Sequence, residues 1–490
     1  MKISFLSLFF LFHLPLFAQQ QVFKSFEVDK PAEPQGGTQY LDAFVQANLR
    51  KPIPARAQNI TGRVILSAVI QADGSPTDVK VIKSLRPDCD REALRVFSLY
   101  KNWAPARKAD KPVWQEVTFP ILFKSNQPFL YVDGATISYY DKDFKELPDS
   151  TEQVRYKQVS PMDSAGLPTA DVVVFERKGK SWQEYNRLRL VREEVKQSKA
   201  TEKRRFLAGY QSRPNSWEGI VYEIDEAGII RSQQSYEKGR AVGTSLQYAP
   251  SGVLLEKREP YDTQVVTTSW FPNGQLRQIL VGPTPKPGSN KAPEPIAPGK
   301  IMGLWNSSGE HLVREGNGLA VLTDNQRSEK DTAQQTLFVE KGQVVDGLKQ
   351  GVWTGSYEDG SYYYEEVYDK GICQRGKSIT FGADTLRYTV PEQQPEFPGG
   401  MQALGQFLSQ NLRYPAEAQK ARAQGRVQVS FVVNTDGTLS DVRVWQGIGF
   451  GADEEAIRVV EKMSGKWKPG IQRGRKVRVR YNLPINFSFQ

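Results

Sequence analysis

From Arg426 to Phe431 apolar and polar residues alternate strictly, with Val427, Val429 and Phe431 set against Arg426, Gln428 and Ser430. A period of two puts each set on its own side of a pleated chain, so the segment is read as a strand with one covered face. Asn434-Thr435-Asp436-Gly437 is turn chemistry and joins it to a second strand over Ser440 to Trp445. On either side the period changes to that of a helix. Leu404, Phe407, Leu408 and Leu412 mark a first helix within Met401 to Leu412, Pro415 opens a short second one through Lys420, and Ala456, Ile457 and Val460 mark a third over Asp453 to Met463. The chain closes on Lys476 to Phe489, where Val477, Val479, Tyr481, Leu483, Ile485 and Phe487 face one way and Arg478, Arg480, Asn482, Pro484 and Asn486 the other. This order predicts a three-stranded antiparallel sheet with helices packed on one face. Pro484 has no N–H to give to a ladder, which confines the closing strand to an edge.

The same module occurs twice. A shift of 363 positions aligns Gly36 to Val96 with Gly399 to Val459 without a gap, and 25 of the 61 pairs are identical, against roughly one in fifteen expected from average composition. Asn48-Leu49-Arg50-x-Pro52 falls on Asn411-Leu412-Arg413-x-Pro415, Gly62-Arg63-Val64 on Gly425-Arg426-Val427, and Asp73-Gly74 on Asp436-Gly437. One inserted residue makes the shift 364, after which Trp103-x-Pro105 and Pro120 meet Trp467-x-Pro469 and Pro484.

Between the copies an aromatic residue followed by glycine recurs, as Tyr222 to Gly228, Tyr248 to Gly252, Phe271 to Gly274, Trp305 to Gly309 and Tyr357 to Gly360. The pattern predicts repeating hairpins, each glycine supplying a positive φ at a turn and the aromatic packing between units. Arg187 to Arg205 fits either an exposed charged helix or an irregular insertion. The expected organisation is a signal peptide over 1–18, a degenerate first copy over 34–124, a β-rich hairpin region over 125–282, a Pro-rich linker over 283–298, a second hairpin region over 299–388, and the second copy over 395–490. The linker, from Pro283 to Pro298, is expected to be extended and semi-rigid.

Composition narrows the chemistry. Lys2 followed by the apolar run Ile3 to Phe17 and then Ala18 has the layout of a secretory signal peptide and is short of the roughly 20 residues that span a bilayer; the competing reading is an uncleaved inner-membrane anchor. The only histidines are His13, in that leader, and His311, so multi-imidazole metal sites cannot be built within one mature chain, and a Ser-His-Asp triad would have to use His311. No nucleophile, metal-protease, Walker or dinucleotide motif is present, and no catalytic residue, metal or cofactor is expected. Carboxylate pairs stay open, because sequence does not show their proximity. Cys89 and Cys373 fall in different expected domains, which argues against a bridge. The net charge of +10 and the cluster Lys468, Arg473, Arg475, Lys476, Arg478 and Arg480 could meet phosphates, but export removes nucleic acid as a partner, and charge on an edge strand guards against aggregation.

Gly399 to Phe489 resembles the C-terminal domain of TonB-type energy transducers. The resemblance rests on Phe397-Pro398-Gly399-Gly400, Tyr414-Pro415, Ala418-Gln419, Gly425-x-Val427-x-Val429, Asp436-Gly437, Val442, Ala456, Trp467-x-Pro469-Gly470 and the closing alternating strand. The first copy departs from it, with Lys51 in place of the Tyr of Tyr-Pro and Ala106 in place of Gly470, so a purely structural copy is its alternative reading. The middle looks similar to MORN-type or YwqK-type hairpin repeats. The resemblance implies an α+β protein in which two TonB C-terminal-like domains flank a mostly antiparallel β region. It also implies a periplasmic, non-enzymatic module that docks N-terminal peptide segments of outer-membrane receptors on its last strand by β-augmentation, in support of TonB-dependent transport. Tyr414, Arg475, Val477, Arg478, Val479, Arg480 and Tyr481 are the candidate peptide-binding residues, with Arg478 and Arg480 suited to an acidic segment. Two alternatives remain: a cell-envelope scaffold that binds partners through its hairpins, and an anchored transducer coupled to inner-membrane proton-driven motor proteins. The second requires an uncleaved leader that anchors the chain in the inner membrane, facing the periplasm.

Overall fold

The computed structural model describes residues 21–148, 151–195, 204–214, 216–284 and 299–488. The expected signal peptide and most of the Pro-rich linker lie outside these residues. The chain divides into two units, Met1–Lys51 with Ile60–Ser125, and Pro52–Asn59 with Asn126–Gln490.

In the second unit, the second copy has helices Gly400–Asn411, Ala416–Lys420 and Ala452–Glu461 and strands Gly425–Val433, Leu439–Gln446 and Val479–Phe487. Gly425–Val433 is the central strand and Val479–Phe487 lies at an edge. Val427, Val429 and Phe431 face the helices and meet Leu483, Ile485 and Phe487 with Ala456, Val459, Val460 and Trp467 in one core. Each fully covered aliphatic or aromatic side chain there contributes about 1.5–3 kcal/mol, which fixes the register, since a one-residue slip would turn this whole set outward.

One predicted element needs correction. The closing segment is not a single strand: Arg475–Val477 pairs with Gly470–Gln472 in a small separate sheet, and only Val479–Phe487 joins the main one. The physical reason is local. Arg473, at φ 50°, and Gly474, at φ 81°, make a tight turn that folds the first residues back on Gly470–Gln472, and the ladder breaks at Arg478.

The first unit repeats the plan with helices Thr38–Asn48 and Pro87–Leu99 and strands Gly62–Ile70, Pro76–Lys83 and Lys111–Phe123. Matched positions make matched contacts. The Arg95 guanidinium donates to the Asn48 carbonyl at 2.7 Å and Arg458 to that of Asn411 at 2.7 Å, while Glu92 and Glu455 accept from the backbone N–H of Arg50 and Arg413. Gly74 and Gly437 have φ of 83° and 84°, and a Cβ on either would stand 2.2 Å from the carbonyl oxygen of Trp103 or Trp467. Asp-Gly and Trp-x-Pro therefore recur together because the turn and the tryptophan backbone touch.

The middle region is an antiparallel meander. From Tyr156–Pro161 to Leu386–Tyr388 each strand pairs with the next. The five glycines of the aromatic-Gly pattern all have positive φ, between 69° and 90°, and each donates its N–H to the carbonyl three residues earlier. Ser181–Glu194 and Arg205–Arg213 are strands, so the described part of the charged stretch is neither a helix nor irregular. A further correction concerns the linker. Leu276–Pro283 and Lys300–Trp305, on either side of it, pair directly, with Gln278 opposite Leu304 and Leu280 opposite Ile301. The Pro-rich segment therefore interrupts one continuous meander and does not space two.

Candidate functional site

The closing strand of the second copy offers the edge that the sequence predicts. Its inner flank pairs along its whole length with Gly425–Val433, from Val479 opposite Val433 to Phe487 opposite Gly425, without a bulge. Its outer flank carries no strand among the described residues. Pro484 stands opposite Gln428 inside this unbroken ladder, so the position of its missing N–H faces away from the inner neighbour. Arg480, opposite Val432, lies four residues away in the same register, and its backbone groups therefore face outward too.

The seven candidate residues do not gather in one place. Arg478, Val479, Arg480 and Tyr481 lie together at the start of the edge. Arg478 donates to the Asn434 side-chain oxygen at 2.9 Å, and Arg480 lies 3.4 Å from the Ser430 hydroxyl and 3.7 Å from the Asp441 carboxylate. Tyr481 is half-buried against Phe431 and Trp467. Tyr414 is at the far end, its ring edge-on to Phe487 and its hydroxyl donating to the Ala423 carbonyl at 2.6 Å. Arg475 and Val477 belong to the short hairpin, and Arg475 donates to Glu329 at 2.9 Å and to Thr380 at 3.2 Å.

That hairpin holds a cluster that sequence reasoning missed. Arg473 donates from Nε to the fully buried Glu366 carboxylate at 2.9 Å, and its guanidinium carbon lies 3.6 Å from the centre of the Tyr364 ring. The hydroxyls of Tyr368 and Tyr388 donate to the two oxygens of Glu366 at 2.9 Å. The Arg473 carbonyl accepts from Ser378 at 2.7 Å. Burial disfavours the charge on Arg473, but Tyr364 and Glu366 hold its pKa above the ordinary guanidinium value. Burial would likewise raise Glu340, yet Lys349 beside it, with the Tyr364 hydroxyl, holds that carboxyl below the usual range. The second copy is thus pinned to the meander by the hairpin turn. A signal for this exists in the duplication: the position of Arg473 is Ala109 in the first copy.

The closing strand of the first copy, Lys111–Phe123, is occupied on its outer flank. Val22–Phe23 runs parallel to it, Val22 opposite Trp114 and Phe23 opposite Gln115. Lys24 forms an ion pair with Glu116, which also accepts from the Ser67 hydroxyl at 2.8 Å. Nothing in the hydrophobic pattern of residues 19–30 marked this segment as a strand. His311, the histidine weighed for catalysis, stacks on Trp305 with ring centres 4.2 Å apart, and burial lowers its pKa.

The same sheet is built twice with the same capping contacts, its closing strand covered by Val22–Phe23 in the first copy and without an outer neighbour among the described residues in the second. Residues 48–125 and 410–489 both match the family described as Gram-negative bacterial TonB protein C-terminal, so the chain carries two copies of that domain, a periplasmic type of protein-interaction and transport module. No curated protein matches the chain. Among the described residues no helix is long and apolar enough to cross a membrane.

Proposed function

We propose that the second copy docks extended N-terminal segments of outer-membrane receptors on the outer flank of Val479–Phe487, as a non-enzymatic periplasmic binding module serving TonB-dependent transport. The observation that carries this reading is a strand whose inner flank is fully paired and whose outer flank has no neighbour among the described residues. A guest strand would take its affinity from the backbone groups of Arg480 and Asn482 and its selectivity from the side chains nearby. Arg478 and Arg480 favour an acidic segment. Pro484 removes one outward donor, so the guest pairs mainly with the first half of the strand. Arg475 and Val477 act indirectly in this reading, by holding the hairpin that leads into the edge, and Tyr414 by packing its far end. Export on the leader of residues 1–18 would bring the module to such receptors.

The test is to titrate acidic N-terminal peptides of outer-membrane receptors against the full chain and against Arg480→Pro. That substitution removes an outward N–H and leaves the inner ladder intact. Binding that falls at least tenfold in the variant supports the reading; no binding to either protein, or equal binding to both, contradicts it.

A further inference from the structure

The first copy carries something the second lacks. In both, a lead-in segment runs beside the Trp-x-Pro stretch: Glu33–Pro34 pairs with Trp103–Ala104, and Glu396 bridges to Lys468 at the matched place. Lys30 bridges to Arg107, and Gln393 pairs with Ile471. These shared contacts belong to the module's construction. Val22–Phe23 is additional. It lies on the outer flank at Trp114 and Gln115, whose counterparts in the second copy, Arg478 and Val479, have no strand on that flank among the described residues. The residues that match Val22 and Phe23, Thr385 and Leu386, cannot take that place, because Leu386–Tyr388 is paired with the meander strand Ile372–Thr380.

The contacts of this strap read as a recognition code. Its backbone pairs in parallel for two residues. The Phe23 ring lies under the Lys108 ammonium, 4.4 Å from nitrogen to ring centre. Lys24 meets Glu116, and Glu27 accepts from the Lys24 backbone at 2.6 Å to turn the chain away. Glu116 aligns with Arg480, so the two copies present opposite charges at one position of the edge. Only two residues are paired, Val22 is partly exposed and Phe26 is 86% exposed, so the strap is held by a small surface.

We propose that the outer flank at Trp114–Glu116 is a peptide-binding site occupied by the chain's own segment Val22–Lys24, which a second segment of the same chemistry, apolar then aromatic then basic, displaces. The first copy is self-occupied while the second stands open, and the two select guests of opposite charge. This goes beyond the second-copy reading and shares with it only the principle of edge pairing.

The experiment uses the full chain and a fluorescent synthetic peptide of residues 21–28 as the probe, with binding followed by anisotropy. The variant Phe23→Gly with Lys24→Ala weakens the strap without a charge that could pair again at position 116, and is expected to bind the probe at least tenfold more tightly than the parent chain. Adding Glu116→Lys to that variant removes the binding, and a probe carrying Lys24→Glu restores it; this restoration shows that the site is still folded. Lys24→Glu alone, a change at an exposed side chain, gives intermediate affinity. Equal probe binding by the parent and the opened variant overturns the proposal, as does indifference to the charge at position 116. Receptor peptides and Arg480→Pro report on the other copy, so failure there leaves this result separately readable.

Discussion

Single residues set what each copy can do. Gly437 permits a turn that touches the Trp467 carbonyl. Gly437→Ala forces a left-handed conformation costing about 1–2 kcal/mol, with the steric clash in addition, so its chemical-denaturation midpoint should fall well below that of the parent; an unchanged midpoint would show that the contact yields freely. Gly74→Ala is expected to do the same in the first copy. Glu116 carries a pH dependence. Its pKa is lowered, first by the hydrogen bond from Lys24, then by that from Ser67, with Lys80 adding to the effect. A carboxyl depressed by its partner stabilises the strapped state above the ordinary carboxylate range, roughly pH 4.3, and loses that contribution as pH falls through the lowered value. The strap should therefore loosen below about pH 4, seen as increasing mobility of a spin label at position 22. An exposed ion pair contributes only about 0–1 kcal/mol, so partial release is expected.

At the scale of elements, the hairpin Gly470–Val477 joins two structures. Its Arg473 meets Glu366, which has no solvent exposure, and removing one partner of such a pair costs about 3–5 kcal/mol. Arg473→Ala is thus expected to raise amide exchange sharply through Gly470–Val477 and at Ser378, with little change at Gly425–Val433. Equal exchange in parent and variant would show that the hairpin is held by its backbone alone. The helices, the central hairpin and the edge position of the closing strand were legible in the sequence because burial on one face imposes a period, and because Pro484 forbids a central place. The break at Arg478 was not legible: Val477 and Val479 keep the alternation even though they belong to different sheets. The strap was hidden for a related reason, since two paired residues are too few to show a period. The pairing of Leu276–Pro283 with Lys300–Trp305 was masked by the prolines between them, whose composition speaks of a spacer whether or not its ends meet.

At the scale of the whole molecule, duplication has produced two edges with different histories. One is covered by the chain's own Val22–Phe23 and carries Glu116; the other has no outer neighbour among the described residues, carries Arg478 and Arg480, and is fastened to a meander through Arg473. A protein with two open edges would offer its unpaired backbone to any extended chain; here one edge is covered and the other carries positive charge. A doubly charged acidic guest should therefore bind with salt-dependent affinity, weakening as ionic strength rises, and should saturate at one site per chain. Two equivalent sites by calorimetry would contradict the difference between the copies. The most direct measurement is hydrogen–deuterium exchange on the full chain with and without a saturating acidic receptor-derived peptide. New protection is expected at the outward amides of Arg480 and Asn482, with Val427 to Val433 unchanged. Protection confined to the meander, with the amides of Val479–Phe487 exchanging as before, would contradict it.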